Sequence, residues 1–72
     1  MKISYDKLWK LLIDKKMKKT DLIGKANISS NVLARMGREE PVSLESIGKI
    51  CCFFGCKIDD ILEIQTTNED EL

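Results

Sequence analysis

Apolar residues recur three and four positions apart along most of this chain and nowhere alternate at period two for long, so the spacing restricts the fold to packed helices. Tyr5, Leu8, Leu11 and Leu12, with Trp9 beside them, predict helix 1 over residues 4–15, capped by Ser4. Met17 plugs the gap to a short helix 2 over 19–26, whose inward face is Leu22, Ile23 and Ala26. It ends near Asn27, which enters the left-handed backbone region at low cost. Ile28 turns back to the core, and Ser29 caps helix 3 over 30–36, with Leu33 and Met36 on its apolar side.

After a turn from Gly37 to Val42, Ser43 caps helix 4 over 43–54, with Leu44, Ile47, Ile50, Cys51 and Phe54 as its inward stripe. Gly48 inside that helix costs about 1 kcal/mol relative to Ala, a cost tolerable where another group comes close. Gly55 ends the helix, Cys56 and Ile58 re-enter the core, and Asp59 and Asp60 open helix 5 over 59–64, burying Ile61, Leu62 and Ile64. The expectation is an all-α domain of five short helices without a strand. Cys52-Phe53-Phe54 and Ile61-Leu62-Glu63-Ile64 are locally ambiguous. Residues 1–65 read as one domain and 66–72 as an acidic end that frays.

The net charge of zero hides a division. Residues 1–38 carry ten Lys and Arg against three Asp, and residues 39–72 carry two against nine acidic side chains. A basic face can collect phosphates while an acidic one faces away, because the local field governs encounter. The competing reading is that Lys15, Lys16, Lys18 and Lys19 are only a solvated helix end.

Other functions find little support. Cys51, Cys52 and Cys56 are clustered, with no His in the chain, which makes a poor disulfide framework and a poor four-ligand zinc site, so no cofactor and no metal are expected. Cys51 and Cys56 read as small buried apolar residues and Cys52 as exposed. The glycines are scattered singly and make no phosphate-cradling loop, which argues against an enzyme. No apolar run approaches a membrane span and no leader pattern opens the chain, so a cytoplasmic protein is expected.

Two short helices joined by three or four residues, the second presenting Ser30, Asn31, Ala34 and Arg35 on its polar face, match a helix-turn-helix layout. The stretch from Met17 to Met36, together with that from Leu44 to Leu62, resembles the Cro/C1-type helix-turn-helix family, also called XRE-like, in its small stand-alone bacterial form. The chain departs from the family pattern at Lys19, where Gln is frequent, and at Ile23, where a small Ala is usual. Asn27 and Glu39 stand where Gly is common, and Lys57 stands where a polar cap is usual.

The resemblance implies a compact, lambda-repressor-like DNA-binding domain acting as a transcriptional regulator, with repression as the expected mode. It implies that helix 3 enters the major groove of double-stranded DNA, with Ser30, Asn31 and Arg35 at base edges. Lys18, Lys19, Ser29 and Arg38 would hold phosphates. Each has a plainer role open to it: Ser29 as an N-cap alone, Asn31 and Arg35 as solvated helix residues, Val32 as packing rather than contact with a thymine methyl.

Phe53 falls outside the inward stripe, and with Cys52 it offers an apolar contact for a homodimer; the alternative packs Phe53 against helix 1 near Trp9. The second functional reading is a protein-interaction or antitoxin-like adaptor that uses such an exposed apolar face without a specific DNA site.

Overall fold

The computed structural model describes residues 1–66; the acidic end expected at 66–72 therefore lies, from residue 67 on, outside the described residues. Four α-helices form the body: α1 (Asp6–Asp14), α2 (Asp21–Lys25), α3 (Ser30–Gly37) and α4 (Leu44–Phe54). The all-α class and the first four helices agree with the spacing argument. Several local expectations do not.

Helix 5 is absent as such, and strands are present. Ile58–Asp60 makes a single 3-10 turn, and Glu63–Gln65 (β2) pairs antiparallel with Lys2–Ser4 (β1) in the register Lys2 with Gln65, Ile3 with Ile64 and Ser4 with Glu63. A helix this short is marginal by itself, and Ile58, Ile61 and Ile64 are β-branched. The edge offered by β1 satisfies the backbone of residues 63–65 instead. The ribbon also moves the start of α1. Ser4 is buried in β1, Tyr5 occupies the N-cap position, and Ser4 Oγ accepts only a long 3.3 Å bond from the Asp6 N–H.

The remaining caps follow the sequence. Val32 N–H donates to Ser29 Oγ and Ser46 N–H to Ser43 Oγ, each at 3.1 Å. Asn27 takes the left-handed conformation expected of it, with φ 60°, and Gly55 ends α4 with φ 67°. Lys57 lacks a capping side chain, yet its N–H donates to the Asp60 carboxylate at 3.0 Å, so the turn is closed from its far end.

Tyr5, Leu8, Leu12, Leu22, Ala26, Ile28, Met36, Ile47, Ile50 and Ile61 form the core. Met17 packs against it between α1 and α2, as its isolation in the sequence implied. Cys51 and Cys56, expected to be buried, are half-buried, and burial raises the Cys51 thiol pKa, with Cys56 adding to the effect. Three residues assigned to the core face solvent instead: Leu44 is 71% exposed, Ile58 42% and Ile64 55%. Leu44 stands at the first position of α4, where the helix has not yet reached the core. The other two follow the lost fifth helix. Together with Ile3, Val42 and Leu62 they line an apolar groove of about 230 Å³.

Backbone cost is stored at Lys16, with φ 57°, and at two positions where a substitution relieves it, Glu39 and Gly48. Glu39 has φ 58°; its N–H donates to the Met36 carbonyl at 3.0 Å and the Glu40 N–H to that of Arg35 at 2.9 Å, the paired bonds of a left-handed helix C-cap. A Glu there is strained relative to Gly. Gly48, expected to mark a close approach, has nothing within 4 Å of where a Cβ would stand. Glu39→Gly and Gly48→Ala should therefore each raise stability by about 1 kcal/mol, read as a higher urea midpoint at unchanged slope.

Candidate nucleic-acid interface

The turn joining α2 to α3 depends on Asn27 in left-handed backbone, buried Ile28, and Ser29 as cap. This sequence sets the start of α3 at the surface with its apolar side inward: Met36 is fully buried, and Val32 and Leu33 pack against the core. Val32 is thus a packing residue. On the other side Ser30, Asn31, Ala34 and Arg35 are exposed, and Asn31 and Arg35, one turn apart, share the wall of an open depression of about 300 Å³ with Pro41, Val42 and Ser43.

The lysines expected to meet phosphates flank the start of α2. Lys18 N–H donates to Asp21 Oδ2 at 2.9 Å, and the Asp21, Leu22 and Ile23 amides take carbonyls three residues back, so 18–20 form a tight entrance turn rather than α-helix. Lys18 and Lys19 are exposed on that turn. The Lys19 ammonium stands 4.3 Å from the centroid of the half-buried Trp9 ring, a contact that fixes its direction at small energetic cost to release. Ser29 has its oxygen engaged as a cap, but it remains exposed at the head of α3.

Arg38 follows α3 and is exposed, but it is not free. Its Nε donates to Glu40 Oε2 at 2.7 Å, and Arg35 Nε lies 3.7 Å from Glu40 Oε1. The hydrogen bond to Arg38 holds the Glu40 carboxyl pKa below its ordinary range, and the same pair raises that of Arg38. Behind this pair the Tyr5 hydroxyl donates to the Glu40 carbonyl at 2.8 Å. Burial lifts the Tyr5 phenol pKa, against a smaller opposing pull from Arg35.

Asp21, Glu40 and Tyr5 were not singled out by sequence reasoning as parts of this surface. Asp21 had a readable signal, a carboxylate three residues past the start of a turn. Tyr5 had none, because 35 residues separate it from the Glu40 carbonyl, and Glu40 had only its nearness in sequence to Arg38, which does not fix the direction of an exposed side chain.

Cys52 and Phe53 are both exposed on α4, Phe53 at 41%, with its ring edge-on to Phe54 at 4.8 Å between centroids. Among the described residues, no group of three or more His, Cys, Asp or Glu could hold a metal ion, and no helix is long and apolar enough to cross a membrane.

Residues 7–67 match the family model described as the Cro/C1-type HTH DNA-binding domain. None of the curated protein sequences matches the chain. Among solved structures, the chain is similar to the transcriptional regulator VanUg in its crystal form II, with 41% identity and a TM-score of 0.85 over 92% of this chain and 88% of that one. A second helix anchored by buried Leu22, a capped turn and an exposed third helix all lie within the matched residues. The chain is a DNA-binding transcriptional regulator, and it belongs to the Cro/C1-type helix-turn-helix family.

Proposed function

We propose that residues 1–65 act in the cytoplasm as a repressor that occupies an operator by placing α3 in the major groove. Asn31 pairs with adenine through its amide, and Ser30 and Arg35 reach neighbouring base edges. Lys18, Lys19, Ser29 and Arg38 hold phosphates on either side and fix the register. The observation that carries this reading is the exposure of Ser30, Asn31 and Arg35 along one side of a helix whose other side is anchored in the core by Met36.

The working form is a homodimer, because one short reading helix and a few cations make a weak site, and two copies about 34 Å apart lengthen it. Cys52 and Phe53 supply the contact, with acidic residues at its rim. A second location is favoured by the apolar groove of Leu44, Ile58 and Ile64.

Selection of bound sites from random duplexes should return a preferred sequence with an adenine in each half. Against that sequence, Asn31→Ala should lose about 1–3 kcal/mol of discrimination while keeping its affinity for random DNA. Equal losses on all duplexes would show that α3 meets only the backbone.

A further inference from the structure

The Glu40 carboxylate lies just past α3 and engages both arginines of the interface. Arg38 Nε donates to Oε2 at 2.7 Å and Arg38 Nη2 reaches Oε1 at 3.5 Å, while Arg35 Nε stands 3.7 Å from Oε1. Two oxygens facing a guanidinium fork are what a DNA phosphate also presents. We propose that Glu40 is a built-in phosphate mimic that withholds Arg35 and Arg38 from DNA until a duplex displaces it, and so sets the affinity for DNA of any sequence. The inference rests on the DNA-binding reading above and adds an opposing residue to it.

Glu40 is placed for this rather than swept there by flexible chain. Its N–H is bonded to the Arg35 carbonyl at 2.9 Å and its carbonyl accepts from the buried Tyr5 hydroxyl at 2.8 Å, so its backbone is tied both to the end of α3 and to the core. Tyr5 is therefore a positioning residue for the carboxylate. Between Asp21 and Glu45 the only acidic residues are Glu39 and Glu40, and none of the ion pairs among the described residues involves Glu39.

The pair is exposed, so it contributes little to folding and is cheap to open; its effect belongs to binding. Because the carboxyl pKa is lowered, Glu40 stays charged throughout the neutral range, and the pairing weakens only as pH falls through that lowered value. When DNA binds, the arginines must leave Glu40 and its charge remains near phosphates. Both effects oppose association.

Glu40→Gln keeps the side-chain shape and both backbone bonds. On a mixed-sequence duplex at 0.1 M salt it should bind about 8-fold tighter than the unmodified chain for each bound copy, the worth of about one added phosphate contact per copy, with a salt slope steeper by about one per copy. Glu39→Gln removes the same charge one residue away and should tighten binding by at most about twofold. In an Arg38→Ala background the gain from Glu40→Gln should fall by at least half. Equal gains from the two Gln variants, or a Glu40→Gln protein that binds no tighter while the unmodified chain binds well, would overturn the mimic and leave the DNA reading intact. Absence of binding by every variant at 50 mM salt would overturn both.

Discussion

Ile50→Ala should cost about 3–4 kcal/mol, while Leu44→Ala should shift stability by less than about 0.5 kcal/mol, although both residues lie on one apolar stripe of the sequence. Ile50 is 0% exposed, in the middle of α4 and within the cluster that joins Tyr5, Leu8, Leu22, Met36 and Ile61, so its truncation leaves a cavity that these neighbours cannot fill without moving. Leu44 is open to solvent at the first position of the helix, where nothing is lost from the interior. A domain of 72 residues holds on the order of 4–10 kcal/mol in all. The Ile50 change therefore removes a large part of it, and melting should fall by roughly 15–25 °C. Urea titrations should show the midpoint moving at unchanged slope. Equal losses at the two positions would mean that the N-terminal turn of α4 is buried after all.

That contrast shows where periodicity stops being informative. The 3-4 spacing of residues 44–54 identifies the helix and its inward direction, but how far along the helix the core extends depends on what packs opposite, which is set by other segments. The first four helices were legible because each carries a local signal: Ser29 and Ser43 as caps, Asn27 and Gly55 as ends, and apolar residues in between. The end of the domain was not, because Ile61 to Ile64 satisfies a helical and an extended pattern equally well. Only the presence of Lys2–Ser4, some sixty residues away, settles the choice in favour of a strand. The same reasoning separates the interface residues. Ser30, Asn31 and Arg35 are exposed as their place in a capped helix implied. The engagement of Arg35 and Arg38 by Glu40 depends on a loop held by Tyr5 and could not be read from spacing.

Raising salt from 50 to 200 mM should weaken binding to mixed duplex DNA by about 10³-fold if the protein binds as a dimer, and by only about 40-fold if it binds as a monomer. Lys18, Lys19 and Arg38 are the exposed cations assigned to phosphates in each copy. Two copies therefore neutralise about six phosphates and one copy about three, giving slopes near −5 and −3 on a double-logarithmic plot. Lys19→Ala should flatten the slope by about one for each bound copy and weaken all duplexes alike. Its release from Trp9, the only tryptophan, gives the same event an optical reading: emission should change when the unmodified chain meets DNA and stay nearly constant in the Lys19 variant. Phe53→Glu places a charge on an already exposed position, so the fold should survive while the slope drops to the monomer value and sedimentation at micromolar concentration shows a single copy. Leu44→Glu should do this instead if the groove beside the β-ribbon is the contact. A monomer by sedimentation in the unmodified chain, with a slope near −3 that neither Glu variant alters, would refute the dimer at both locations while leaving α3 as the reading helix.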